Sequence, residues 1–228
     1  MIRNLLLDLD NTLLDFSMAE RIALTKALTA VGVEPAPAVL SRYSELNDEQ
    51  WRLLEQGKLT RPEVKVRRFR LLFEELGLDA PVERASELYE KLLGVGHYYI
   101  DGAAELLEAA YGKYGLYLIT NGTADVQHSR LKSADMEKYF DGIFISEEIG
   151  FDKPGRDYFD WCTAHILDFC REEALVVGDS LTSDIQGGIN AGIRTVWFNP
   201  KHKENNFSIV PDYEIHALME LLPLVETL

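Results

Sequence analysis

Leu5-Leu6-Leu7-Asp8-Leu9-Asp10-Asn11-Thr12, residues 5–12, is an apolar run that ends in two carboxylates. It belongs to a first predicted strand at residues 3–9, and similar short runs recur at residues 116–119, 143–145, 174–177 and 195–198. Short continuous runs of this kind are typical of strands that are buried on both faces of a parallel sheet. Helical stretches are predicted between them, at residues 103–112, 123–133, 155–170 and 182–191, with Gly192 capping the last. This alternation predicts a doubly wound, Rossmann-like α/β core.

The segment at residues 16–96 has helical periodicity and no convincing strand. Two S/T-x-x-E spacings, Ser17 with Glu20 and Thr60 with Glu63, predict capping boxes at helix starts. Further helices are expected near residues 38–56, 61–76 and 81–93. The sequence therefore predicts an all-α insert at 16–96, with the α/β core formed by residues 1–15 and 97–228.

Composition excludes some classes of function. The 228 residues include 23 Lys plus Arg and 38 Asp plus Glu, which gives a formal net charge of -15. This negative charge disfavours binding to the phosphates of nucleic acid polymers. Asp8 and Asp10 interrupt the opening apolar run too early for a secretory signal, and no later run has membrane-spanning length, so we expect a cytoplasmic protein without membrane contact. Cys162 and Cys170 lie within one predicted helix at a spacing that matches no zinc pattern, and both are expected to be reduced.

Polar groups follow the predicted strands at the points where each strand ends. The first ends in Asp8 and Asp10, the second in Thr120-Asn121-Gly122, and the fourth in Gly178-Asp179-Ser180 with Asp184 close behind; Lys153-Pro154 follows the third. Each feature alone has an ordinary explanation as a turn residue, a cap or a solvated charge. Together they indicate a site, because ligands of open α/β sheets bind outside the carboxyl ends of the strands.

This set resembles the four motifs of the haloacid dehalogenase superfamily, most of whose members are phosphatases. The motifs cover residues 5–12 and 117–184, and the insert at 16–96 falls where that superfamily places its helical cap of the first type. The resemblance implies that Asp8 is the nucleophile that becomes an aspartyl-phosphate and that Asp10 is the general acid and then the general base. It implies that Thr120 and Asn121 bind the phosphate, and that Lys153 neutralises the charge of phosphate and nucleophile. It also implies that Mg²⁺ is bound by Asp179, Asp8 and the backbone carbonyl of Asp10, and that Asp184 orients the metal's water or Lys153.

Physical chemistry makes these implied roles sensible. A carboxylate that attacks a phosphate dianion meets like-charge repulsion, and a hard divalent cation with oxygen ligands, helped by an ammonium group, removes it. Covalent capture then divides hydrolysis into two in-line displacements. A magnesium-dependent phosphomonoester hydrolase is the predicted activity.

A narrower resemblance, to the house-cleaning pyrimidine 5′-nucleotidases, rests on segments 118–122, 146–150, 178–185 and 187–192, followed by Trp197-Phe198-Asn199. It implies a nucleoside monophosphate or another small phosphorylated metabolite as substrate. The residues after Lys153, Pro154-Gly155-Arg156, depart from the commoner pattern of that group. In the insert, we weigh an aromatic and basic set as contacts for a base or phosphate but favour structural roles for them: Tyr43, Trp51, Arg67, Arg68 and Arg70.

Four alternatives stay open at this point. A phosphosugar mutase of the same superfamily would keep the aspartyl-phosphate and return the phosphoryl group to a sugar. A dehalogenase is disfavoured by Asp10, since displacing a halide needs no acid. A phosphonatase would need a lysine from the insert, and the candidates are Lys26, Lys58, Lys65 and Lys91. A catalytically silent binding module would bind ligand without turnover.

Overall fold

The computed structural model describes all residues, 1–228, and contains a single six-stranded parallel sheet. The strands, in chain order, are β1 (Asn4–Asp8), β2 (Gly115–Thr120), β3 (Gly142–Ile145), β4 (Ala174–Gly178), β5 (Arg194–Phe198) and β6 (Tyr213–Ile215). Their order in the sheet is β3-β2-β1-β4-β5-β6. The predicted α/β class and its first five strands are confirmed. Strand β6, only three residues long, was not predicted.

Strand β1 lies in the middle of the sheet, with β2 on one side and β4 on the other. Leu7 is in register with Leu118 of β2 and Val177 of β4, so the carboxyl ends of the three strands lie side by side. The strand order changes direction between β1 and β4. Asp8 therefore occupies the switch point where ligands of open α/β sheets bind.

Helices cover both faces of the sheet. The core helices are α5 (Ala103–Ala110), α6 (Ala124–Ser133), α7 (Ser146–Ile149), α8 (Arg156–Ala164), α9 (Gln186–Ala191) and α10 (Leu221–Thr227). Successive side chains of β1 point to opposite faces of the sheet, so Leu5 and Leu7 pack into the apolar cluster on one face and Leu6 packs into the apolar cluster on the other. No helix of the protein is both long enough and apolar enough to cross a bilayer.

Two core helices differ from their predicted form. Helix α8 ends at Ala164, six residues before the predicted end, and Asp168 adopts a left-handed conformation with φ 51° that no α-helix tolerates in its interior. Cys170 consequently lies in the loop before β4 and not in the helix, whereas Cys162 is buried; both thiols are free. The predicted helix at 182–191 begins with a π-helical turn at Leu181–Ile185 and ends, as predicted, at Gly192 with φ 68°.

Four helices occupy the segment between β1 and β2: α1 (Phe16–Ala30), α2 (Pro37–Glu55), α3 (Arg61–Leu76) and α4 (Val82–Leu93). They pack around their own apolar cluster, which reaches the core through Val126 of α6. The backbone N–H of Thr60 donates to Glu63, which confirms that capping box. The division into a core and a cap domain remains a prediction, and we call residues 16–96 the helical insert.

The predicted capping box at Ser17 and Glu20 is wrong. Asp15 caps α1 instead, because its carboxylate accepts from the backbone N–H of Met18 at 2.8 Å. Glu20 is buried one turn further along and accepts hydrogen bonds from Ser44 and Asn47 of α2. A carboxylate that serves a buried network between two helices is not available to cap its own helix.

The two chain segments that join core and insert run side by side. The backbone N–H of Asp15 donates to the carbonyl of Tyr98 at 2.7 Å, and that of Ile100 donates to Leu13 at 3.0 Å. This paired connection holds the insert over the carboxyl ends of β1, β2 and β4.

Candidate active site

Asp8 is the last residue of β1 and is buried at the bottom of a cleft between core and insert. The chain turns immediately afterwards: Asn11 is left-handed with φ 63°, and the N–H groups of Leu13 and Leu14 both donate to the carbonyl of Leu9 at 2.9 Å. This turn brings Thr12 back beneath the strand end, where its hydroxyl donates to Asp8 Oδ2 at 3.0 Å. A turn therefore forms at Asn11-Thr12, and it fixes the orientation of the Asp8 carboxylate.

Lys153 joins two of the carboxylates. Its ammonium group is buried and donates to Asp8 Oδ1 at 2.8 Å, to Asp184 Oδ1 at 2.6 Å and to the carbonyl of Ile119 at 3.1 Å. Burial opposes the charge on Lys153, but Asp184 and Asp8 outweigh it and raise the pKa of this group. Asp184 approaches so closely because β4 ends in Gly178, where a Cβ atom would collide with the Asp184 carboxylate.

Three carboxylates share this small volume. Oxygen atoms of Asp8, Asp179 and Asp184 all lie within 4.8 Å of one another. Burial and then the charge of Asp184 raise the pKa of Asp8 well above its usual range, although Lys153 lowers it, and burial with the Asp184 charge raises the pKa of Asp179 to about 7. Three carboxylates against one ammonium leave a local excess of negative charge. Hard oxygen ligands in such excess suit a divalent cation such as Mg²⁺, so the donor set fits that ion.

Asp10 also lines the cleft, but its carboxylate points toward α6. Gln127 donates to Asp10 Oδ2 at 2.6 Å, and the guanidinium of Arg130 pairs with Asp10 Oδ1. Arg130 has no exposed surface, and its Nε donates at 2.9 Å to the carbonyl of Gly96, next to the returning connection from the insert. Asp10 is thus linked through one buried arginine to the segment that carries the insert.

Thr120 and Asn121 lie at the end of β2 but differ in what their side chains do. The Thr120 hydroxyl accepts from the N–H of Gly122 at 3.1 Å and from Gln127 at 2.9 Å, which leaves its own proton free to donate into the cleft. The Asn121 side chain forms two hydrogen bonds with the backbone of Lys153, at 2.8 and 2.9 Å. This geometry favours a role for Asn121 in positioning the Lys153 loop, and contact of Asn121 with phosphate stays a prediction.

The insert supplies the other wall of the cleft. Trp51 and Glu55 of α2 line it, as does the buried Arg68 of α3. Arg68 donates to Asn47 at 2.8 Å and pairs with Glu90. Burial, and next the charge of Asp184, raise the pKa of Glu55 to about 7, which indicates that this carboxyl group faces the catalytic carboxylates across the cleft. Among the aromatic and basic residues of the insert that the sequence singled out, Tyr43 is buried in the insert's core, and Arg67 and Arg70 are exposed away from the cleft.

Gln127, Arg130 and Glu55 line the cleft but are not among the site residues predicted from the sequence. Gln127 and Arg130 follow the second motif on α6 and share its buried face with Val126 and Leu131. Two long polar side chains on an otherwise buried helix face were the signal that could have revealed them, because buried polar groups need partners. Glu55 gave no such signal, since glutamates at helix ends are common on protein surfaces.

Comparisons with known proteins agree with this arrangement. Residues 5–198 match the sequence pattern of haloacid dehalogenase-like hydrolases. The HAD-hydrolase YfnB of Bacillus subtilis is 40% identical over 96% of this chain and 93% of its own, and a crystal structure of YfnB bound to magnesium superimposes with a TM-score of 0.94, at 38% identity over 99% of both chains. The pyrimidine 5′-nucleotidase PynA of Streptococcus pneumoniae is 38% identical over 97% of this chain and 94% of its own. The pyrimidine 5′-nucleotidase YjjG of Escherichia coli is 33% identical over 80% of each. On this evidence the chain belongs to the haloacid dehalogenase-like hydrolase family.

Proposed function

We propose that the protein is a magnesium-dependent phosphomonoester hydrolase that forms an aspartyl-phosphate on Asp8 and accepts nucleoside monophosphates. The observation that carries this proposal is the contact of Asp8 with Lys153 at the carboxyl edge of the sheet, within a cluster of acidic oxygen ligands. Two relatives named as pyrimidine 5′-nucleotidases support the choice of nucleotide substrates.

Asp8 acts as the nucleophile in this proposal. Thr12 and Lys153 hold its two oxygens in place, so the carboxylate is oriented before substrate arrives. One Asp8 oxygen attacks phosphorus and the bond from phosphorus to the leaving oxygen breaks. The Thr120 hydroxyl donates to a phosphoryl oxygen, and Lys153 balances charge on the phosphoryl group and on Asp8.

Asp10 moves the protons. It gives one to the departing alkoxide, and then takes one from the water that attacks the phosphoryl group and frees Asp8. In the structure both Asp10 oxygens have partners on α6, so Asp10 must release at least one of these contacts to reach the leaving group. Gln127 and Arg130 therefore control when the acid is available.

Asp8, Asp179 and the backbone carbonyl of Asp10 would hold Mg²⁺, with Asp184 kept in position by Lys153 and by the N–H of Ser180 at 3.1 Å. When bound, the ion supplies positive charge that offsets repulsion between the nucleophile and the phosphate. The excess of three carboxylates over one ammonium in the cluster is consistent with this role.

The test compares Asp8→Asn with wild-type protein in a phosphate-release assay on uridine 5′-monophosphate with MgCl2. Asp8→Asn should abolish release, whereas the control Asp168→Asn should not change it, because Asp168 is exposed outside the cleft in a left-handed conformation that asparagine also adopts. Full activity in Asp8→Asn would exclude the nucleophile assignment. In ¹⁸O-labelled water a hydrolase places label in the released phosphate; an unlabelled transfer product would indicate a mutase instead.

A further inference from the structure

One face of helix α2 lines the cleft opposite the catalytic carboxylates. Its members are Asn47, Asp48, Trp51 and Glu55, and at 100° per residue they fall within an arc of about 100° on the helix. The apolar residues Leu46 and Leu54 lie on the buried part of the same helix. The face of α2 that lines the cleft is therefore polar and aromatic, whereas the face that packs into the insert is apolar.

Trp51 and Glu55 are the two half-buried members of this face, and neither side chain has a hydrogen-bond partner in the protein. Asn47, by contrast, donates to Glu20 and accepts from Arg68. The side chains of Trp51 and Glu55 both line the cleft and remain partly exposed to it. Buried or half-buried polar groups without partners at a cleft wall are available for a ligand.

The charges of the cleft restrict what that ligand can be. Three cations line it, and each is already paired: Lys153 with Asp8 and Asp184, Arg130 with Asp10, and Arg68 with Glu90. The insert wall adds three acidic residues, Asp48, Glu55 and Glu90, and of these Asp48 and Glu55 have no ion pair. A leaving group with a carboxylate or a second phosphate would meet uncompensated negative charge there. A neutral leaving group with hydroxyl or amino donors would not.

The order of groups along α2 also matches a nucleotide. Glu55 lines the same cleft as Asp184 and Lys153, and the charges of both act on its pKa, whereas neither acts on the pKa of Asp48 at the other end of the face. Trp51 lies four residues earlier, about 6 Å back along the helix axis. A nucleoside monophosphate presents phosphate, then sugar hydroxyls, then an aromatic base in the same order.

We propose that Trp51 and Glu55 form the leaving-group subsite, in which Trp51 stacks on the base and the Glu55 carboxylate accepts hydrogen bonds from the sugar hydroxyls. The subsite selects neutral nucleosides and rejects anionic leaving groups. This inference rests on the proposed function for its reaction but names residues and a selectivity of its own.

The test measures kcat/KM on three esters: uridine 5′-monophosphate, ribose 5-phosphate, which lacks the base, and 3-phosphoglycerate, whose leaving group carries a carboxylate. Wild-type protein should prefer them in that order. Trp51→Leu should lower kcat/KM for the nucleotide by about 5- to 150-fold, the range for loss of base–aromatic stacking, while ribose 5-phosphate is unaffected and Trp51→Phe retains most of the activity.

At about pH 8.5, where Glu55 with its pKa of about 7 is ionised, Glu55→Gln should lower kcat/KM for uridine 5′-monophosphate and for ribose 5-phosphate by about 5- to 10-fold, because a charge-assisted hydrogen bond becomes a neutral one. It should also raise turnover of 3-phosphoglycerate, because the repelling charge is gone. Glu49→Gln is the matched control: it removes a charge from an exposed position of the same helix outside the cleft and should leave all three rates unchanged.

Failure of this inference is distinct from failure of the proposed function. If wild-type protein hydrolyses 3-phosphoglycerate as well as the nucleotide, or if Trp51→Leu lowers all three rates equally, the subsite is refuted while the phosphatase stands. If wild-type protein hydrolyses none, the proposed function fails, and calorimetric binding of uridine 5′-monophosphate to Asp8→Asn still decides the subsite. Binding that Trp51→Leu does not weaken would overturn it.

Discussion

Replacement of Asp179 by asparagine should stabilise the protein in the presence of a chelator while it abolishes magnesium-dependent activity. The reason is the crowding of Asp179 with Asp8 and Asp184, whose carboxylate oxygens lie within 4.8 Å. Two unit charges at such a separation repel by about 3.5 kcal/mol at an effective dielectric constant of about 20. Asparagine loses little in exchange, since the Asp179 carboxylate has no hydrogen bond and only one distant ion pair, 3.9 Å from the exposed Lys203.

The pKa of Asp179 gives a second route to the magnitude. It is raised from 3.8 to about 7, by burial first and then by Asp184. A carboxyl group whose folded-state pKa is raised stabilises the fold fully below its unfolded pKa, near 4, and this contribution is lost as pH rises through 7. For a shift of this size the ionised carboxylate costs the folded state about 4 kcal/mol above pH 8 and only about 1.5 kcal/mol at pH 5. Coulomb repulsion and the pKa shift therefore both predict that the variant gains about 3–4 kcal/mol of stability at pH 8.

The assay is urea unfolding followed by circular dichroism, at pH 5 and pH 8, with EDTA or with MgCl2. In EDTA the advantage of Asp179→Asn over wild type should grow from pH 5 to pH 8, and Asp168→Asn should show none. Magnesium should stabilise wild type, by about 2.7 kcal/mol at one hundred times its Kd, but not the variant. A variant that is less stable than wild type in EDTA at pH 8, or an advantage that does not change with pH, would refute the electrostatic reasoning.

Three further predictions concern groups that lie away from the acidic cluster. Arg130→Gln, which frees Asp10 from its ion pair, should lower kcat by about 10-fold or more and alter its pH profile, and Arg130→Lys should recover part of the loss; an unchanged pH profile would show that Arg130 is only structural. Arg68→Met should cost about 1–3 kcal/mol in urea unfolding, since half-buried Glu90 keeps only the longer ion pair with Lys65, at 3.8 Å, and Asn47 loses its donor; no measurable cost would contradict this. Only Cys170 should react rapidly with a thiol reagent in the native protein, because Cys162 is buried and burial raises its pKa to about 12; two rapid thiols would contradict the packing of α8.

Much of the core could be predicted from sequence because its strands are buried on both faces. Such strands leave continuous apolar runs, and polar residues stand out at their ends, as Asp8 and Asp179 do. Strand β6 was not predicted because a run of three residues shows no periodicity. The early end of α8 was not predicted because nothing in the neighbouring sequence indicates the left-handed conformation of Asp168. Local sequence patterns were therefore sufficient to predict those elements whose burial requires a continuous apolar run.

Side-chain partnerships were harder to predict for a physical reason. Arg130 and Asp10 are 120 positions apart, and nothing in either segment states that the two will pair. Glu20 shows the same limit: its spacing from Ser17 satisfies a capping pattern, yet the packing of α1 against α2 gives it buried partners instead. Tertiary contacts with several satisfied hydrogen bonds outweigh one local cap, which contributes about 1 kcal/mol.

The same contrast separates the chemistry of the cleft from its selectivity. Asp8 is held by the turn after β1, and Lys153 is held in the loop after α7 by Asn121. Because small displacements of reacting atoms are costly in rate, few residue types can occupy these positions. Trp51 and Glu55 stand on the face of an amphipathic helix, where many residues fold equally well and only the ligand distinguishes among them. Substitutions on this face of α2 can thus change the charge and shape of the cleft without disturbing the acidic cluster. The residues that carry out the reaction can therefore be predicted from short sequence motifs. The residues that select the leaving group can be identified only from the position of α2 over the strand ends.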